Sequence, residues 1–66
     1  MEFSKRLRQL MDEANISQQT LATAIGYTQR AVSKWLNDEA EPTATAVVYC
    51  AKYFGVTTDY LLGLED

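Results

Sequence analysis

Gln29, Arg30, Ser33, Lys34 and Asn37 are spaced so that a helix would gather their hydrogen-bonding groups on one side. At about 100° per residue, with Val32 as the core direction, Arg30, Ser33, Lys34 and Asn37 lie on the far side. Gln29 lies on the flank, in the first turn. No carboxylate shares this face. Arg30 and Lys34 repeat one charge at i, i+4, a mild penalty that an external anion would relieve. A glutamine amide pairs bidentately with adenine N6 and N7, and a guanidinium with guanine O6 and N7, in the major groove of a duplex. The face has the chemistry of a major-groove reader. A merely solvated face is the plainer reading of the same charges.

Other chemistry is excluded by what the chain lacks. It has no His, which removes Ser–His and Cys–His nucleophile pairs, histidine bases and the usual zinc ligands. A single Cys makes no internal disulfide and no cysteine zinc site. Cys50 falls inside an apolar stripe, where a thiol is a small buried hydrophobe. Asp38, Glu39 and Glu41 lack the glycine and spacing of a calcium loop and read as a solvated loop. No nucleophile–base pair or phosphate-binding loop is present, and 66 residues are too few to enclose a substrate pocket of ordinary volume. The expectation is a binding protein and not an enzyme, with no cofactor, no metal and no small-molecule substrate.

Short helices must hold the reading face. Phe3, Leu7, Leu10 and Met11 recur at helical spacing and predict a helix over residues 2–13, with Glu2 and Arg6 paired along it. Ser17 caps a second helix with Leu21, Ala22 and Ile25 inward, and Gly26 ends it in the left-handed conformation. Thr28 caps a third, with Val32, Trp35 and Leu36 inward; Asn37 stops it. Thr43 caps a fourth whose inner stripe is Ala44, Val47, Cys50, Ala51 and Phe54, closed by Gly55. Thr57 or Thr58 opens a last short turn carrying Leu61 and Leu62, with Gly63 beyond. No segment alternates for long with period two. The fold expected is all-α, a compact five-helix single domain over residues 1–66. Gly26-Tyr27-Thr28 is a short connection containing a glycine, so the second and third helices form a corner rather than an antiparallel hairpin. The small Ala22 lets them cross closely.

The run from Ser17 to Asn37, with Ala22, Gly26 and Val32 at its fixed positions, resembles the helix-turn-helix of the phage repressor and Cro family, also called the XRE family. Pro42, the fourth helix and the ending Phe54-Gly55-Val56-Thr57-Thr58-Asp59-Tyr60-Leu61-Leu62-Gly63 continue the similarity over residues 3–64. The resemblance implies a lambda-repressor-like domain whose third helix reads double-stranded DNA. It places base-reading positions at Thr28, Gln29, Arg30, Ser33 and Lys34, and a backbone contact at Asn37. Gln18 opens the second helix, where its amide and the free N–H groups would hold a phosphate. Thr28 is a helix cap with or without DNA, and Ser33 can bond back to a carbonyl. Lys5, Arg6 and Arg8 are surface cations also open to phosphate contact. Three features depart from the pattern: the acidic loop Asp38-Glu39-Ala40-Glu41, Thr58 where an apolar residue is usual, and Tyr60 where a polar one is.

The charge pattern bears on the partner. A net charge of −3 and a pI of about 4.7 argue against a generally basic nucleic-acid binder. Yet residues 1–11 and 28–37 carry +2 each, separated by −2 over residues 12–27 and followed by −3 over residues 38–41. With six Lys and Arg in all, one copy makes few phosphate contacts. Specific binding then calls for a homodimer on a two-fold operator with half-sites about 34–36 Å apart. Tyr60, Leu61 and Leu64 are the candidate dimer contacts. The expectation is a sequence-specific transcriptional regulator, a repressor of prophage, plasmid or bacterial genes, cytoplasmic and nucleoid-associated. The alternative is a protein-interaction module of antitoxin or anti-repressor type that uses the fold without reading DNA; the acidic loop is its motive. No membrane segment is expected, because the longest nearly apolar run, residues 44–51, is far too short to span one.

Overall fold

Four hydroxyl side chains start four of the helices. Ser17, Thr28, Thr43 and Thr57 each accept a hydrogen bond from the backbone N–H three residues on, at Thr20, Ala31, Ala46 and Tyr60. Each cap is worth about 1 kcal/mol, a useful share in a chain this short. The computed structural model describes residues 1–66 as five helices without a strand: α1 (Glu2–Ala14), α2 (Gln18–Ile25), α3 (Gln29–Leu36), α4 (Ala44–Phe54) and α5 (Thr58–Leu62). The expected all-α, five-helix architecture is therefore present.

Helix ends follow from backbone preference. Gly26 takes φ 79°, and a Cβ there would touch nothing, so conformation alone selects the glycine. Gly63 is constrained twice. Its φ is 80°, and a Cβ would lie 2.7 Å from Glu2 Cγ, because the end of α5 closes onto the start of α1. The third helix stops at Asn37, as expected, without a glycine. Asn37 stays near φ −94°, and Asp38 takes the left-handed conformation at φ 59°. Asp is one of the few non-glycine residues that visits this region readily.

One core joins all five helices. Phe3, Leu7 and Met11 of α1, Leu21, Ala22 and Ile25 of α2, and Val32, Trp35 and Leu36 of α3 are buried. Ala46, Val47, Cys50 and Ala51 of α4 and Leu61 of α5 complete it. α1 packs on α3 and α5, α2 on α3 and α4, and α4 on α5. The Trp35 ring meets Phe3 and Tyr27 edge-on, at centroid distances of 6.2 and 5.3 Å. Burial pushes the Cys50 thiol up to about 11.

Three expectations are corrected. Leu61 is fully buried and cannot be a subunit contact. The Thr57 cap turns it inward toward α1 and α4, leaving Leu62 and Leu64 outside. Ala44 is exposed and Ala46 buried in its place. Ala44 lies in the first turn of α4, off the edge of the core, beside Thr58 and Leu62. Asp38 is not simply solvated. Its carboxylate accepts from the N-terminal ammonium at 2.8 Å and lies 2.7 Å from Ser4 Oγ. Ser4, the one buried polar side chain, also lies 2.6 Å from the Trp35 carbonyl, and its single proton serves one acceptor at a time. The ammonium first, and Ser4 second, hold the Asp38 carboxyl below its ordinary value of 3.8. These contacts fasten the turn after α3 to α1.

Candidate nucleic-acid interface

The corner between α2 and α3 is built around Ala22. It is fully buried, and its carbonyl accepts from both Gly26 N–H (3.0 Å) and Tyr27 N–H (2.9 Å). Those two bonds end α2 and turn the chain. Tyr27 then packs against Trp35, and its hydroxyl lies 3.4 Å from Thr43 Oγ1. With Val32, Trp35 and Leu36 all buried, α3 has one rotational setting. Its opposite face is forced outward.

That face forms a shallow depression of about 480 Å³ lined by Gln18, Gln29, Arg30, Ser33, Lys34 and Glu39, with no apolar residue among them. Gln29 and Arg30 are exposed; Ser33 and Lys34 are half-buried. Arg30 and Lys34 make no ion pair, since the molecule's two ion pairs are Met1–Asp38 and Glu2–Arg6. Gln18 comes from α2, so the depression bridges both helices of the corner. Thr28 and Asn37 stand outside it. The Thr28 hydroxyl is occupied as the α3 cap, and Asn37 Nδ2 donates to Ser33 Oγ at 3.5 Å. Four of the five positions given for base reading thus share one surface with the phosphate position Gln18.

Two residues gain a place that the sequence did not give them, Glu39 within this surface and Arg8 beside it. Glu39 brings a carboxylate to the end of the depression. Its approach depends on the left-handed turn at Asp38, which no helical periodicity signals. Arg8 extends the surface on the other side of Gln18. It lines a second hollow with Ser17 and Gln18, and donates to the Leu36 carbonyl at 3.3 Å. The sequence puts Lys5, Arg6 and Arg8 on an equal footing; the fold separates them. Arg6 is turned to the far end of the molecule, bonded to Glu2 and to the Glu65 carbonyl and stacked 4.5 Å over the Tyr60 ring. Tyr60 is accordingly half-buried.

No group of three or more His, Cys, Asp or Glu side chains converges to hold a metal ion, and no helix is long and apolar enough to cross a membrane. The chemistry available on the α2–α3 face is hydrogen bonding from amides, a hydroxyl and two cations, with one carboxylate, Glu39, beside them.

The chain is 35% identical over 66 residues to the HTH-type transcriptional activator BcrR of Enterococcus faecalis, covering 100% of this chain and 32% of that protein. It is also 35% identical over 68 residues to the 26 kDa repressor protein of Escherichia phage HK022, covering 97% of this chain and 29% of that protein. It thus spans about a third of the length of these relatives. The crystal structure of the P22 c2 repressor protein in complex with a synthetic operator superposes with a TM-score of 0.89 at 26% identity, covering 98% of each chain. Residues 7–61 match the family described as Helix-turn-helix (HTH_3), and the chain belongs to that family.

Proposed function

We propose that the chain binds double-stranded DNA sequence-specifically, with α3 in the major groove, as a single DNA-binding domain of a transcriptional regulator. The observation that carries this reading is the depression that joins Gln18 of α2 to Gln29, Arg30, Ser33 and Lys34 of α3. Its residues divide by chemistry. Gln29 and Arg30, at the exposed start of α3, reach base edges; Ser33 and Lys34 follow one turn on. Gln18 and the free N–H groups of α2 hold a phosphate, with Arg8 beside them. Thr28 and Asn37 flank this surface; Thr28, at the start of α3, adds a base contact to its capping role, and Asn37 contacts the sugar–phosphate backbone.

Few cations serve the interface, so one copy gains little from counterion release. Binding as a homodimer doubles that gain. Leu62, 45% exposed, lines a hollow with Val48 and Pro42, and Leu64, two residues on, is 72% exposed. This apolar rim, with Leu64 and the edge of Tyr60, is the surface offered to a second copy. The P22 c2 repressor was crystallised on operator DNA, and BcrR and the phage HK022 protein are named as regulators. Those facts support the reading for this chain.

Selection from a random duplex library, followed by titration at several salt concentrations, tests it. The expected result is one enriched two-fold-related sequence, bound more tightly than random duplex, with affinity falling steeply as salt rises. Absence of DNA binding even at low salt would favour a protein-interaction module.

A further inference from the structure

Glu39 is the one carboxylate on the reading face. A residue on a free loop would move clear of an incoming duplex, but the Glu39 backbone is held. Its N–H donates to the Lys34 carbonyl at 2.9 Å, one turn back into α3. The preceding Asp38 is fixed in the left-handed conformation, with its carboxylate engaged by Ser4 and the N-terminal ammonium. The Glu39 side chain itself is exposed and makes no ion pair, with Lys34 or with Arg30. Its charge is therefore unspent when DNA arrives.

We infer that Glu39 is a specificity-determining residue, whose carboxylate accepts a hydrogen bond from a cytosine amino group in the major groove and disfavours duplexes that lack one there. The inference rests on the DNA-binding reading above. Two effects combine in it. Any duplex brings a dense row of phosphates to the depression, and a carboxylate tethered there by its backbone opposes them whatever the sequence. Only cytosine N4 offers that carboxylate a matched donor on a base edge. A penalty on every duplex, offset at one base pair, is discrimination by a repulsive element together with an attractive one. Glu41 supplies the contrast. It carries the same charge two residues on but lines a different hollow with Met1, Asp38, Glu39 and Ala40.

The test compares wild type, Glu39→Ala and Glu41→Ala on the duplex recovered by selection and on a random duplex, with melting curves to show that each variant folds. Glu39→Ala is expected to bind random duplex about fivefold more tightly at low salt, the value of one unit charge about 4 Å from another in water. Its preference for the selected duplex over random is expected to fall by about fivefold or more. Repeated selection with Glu39→Ala should lose a cytosine at one position in each half-site, and Glu41→Ala should leave that position and the preference intact. A preference unchanged to within about twofold in Glu39→Ala would overturn the inference and leave DNA reading standing. An equal fall in Glu41→Ala would also overturn it, because net charge would then suffice. A wild-type protein with no preference at all would remove both this inference and the proposed function.

Discussion

Replacing Leu61 and Leu64 separately by alanine tests whether the last turn serves the core or a partner. Leu61 is fully buried, and Leu64 is 72% exposed. Truncating a buried leucine loses the transfer free energy of its removed carbons and leaves a cavity, together about 2–5 kcal/mol. A domain of 66 residues at about 0.05–0.15 kcal/mol per residue has about 3–10 kcal/mol in total. Leu61→Ala therefore removes a large part of the stability, and α5 has only five residues through which to relax. In a chain of this size each kcal/mol moves the Tm by about 4–8 °C, so the expected drop is about 8 °C at the least. Leu64→Ala should leave the Tm at low micromolar concentration within about 2 °C, since an exposed substitution stays within about 0.5 kcal/mol. Its effect should fall on self-association, read by sedimentation with and without the selected duplex. Circular dichroism melts read the stability. A Leu61→Ala protein that melts with wild type would refute the packing described for α5. Unaltered association in Leu64→Ala would refute the proposed subunit rim.

Other consequences can be checked independently. Ala22→Leu forces a larger side chain into the fully buried crossing of α2 and α3, and should cost about 1–3 kcal/mol in denaturant unfolding; wild-type stability would mean the helices do not meet there. Because the folded-state pKa of Asp38 is depressed, the stability it contributes is present above its ordinary value of 3.8 and is lost as pH falls through the lower folded value. Asp38→Asn should then flatten the acid limb of the stability curve below that value, and an unchanged acid limb would contradict the clamp. Cys50, with its thiol raised to about 11 and no exposed surface, should resist thiol reagents at pH 8 until the protein unfolds. Rapid labelling of the native protein would show that α4 opens freely.

Much of this fold was legible because local signals agree with one another. Ser17, Thr28 and Thr43 cap the helices the sequence assigns to them, and Thr57 rather than Thr58 caps the last. Periodicity also orients α3 correctly, since the outward direction opposite Val32 is a property of one helix. What required the assembled chain was the relation between elements. Leu61 and Leu64 are both apolar residues near a terminal glycine, and only packing against α1 and α4 tells core from rim. Ala44 and Ala46 are equally small, and only the reach of the core's edge separates them. In sequence Asp38 is indistinguishable from the solvated acids beside it. Its bond to Ser4 joins residues 34 positions apart, which no spacing rule anticipates. Glu39 entered the reading surface for the same reason, through the turn that follows α3.

DNA reading by this protein requires the outer face of α3 to touch base edges in the major groove. Methylating guanine N7 in the selected duplex, one guanine at a time, blocks a guanidinium there without altering the phosphates. Wild type should lose binding at one guanine in each half-site, and Arg30→Ala should be indifferent to methylation at that same guanine while binding about 1–3 kcal/mol more weakly overall. Wild-type binding untouched by methylation at every guanine, or interference that persists unchanged in Arg30→Ala, would contradict it.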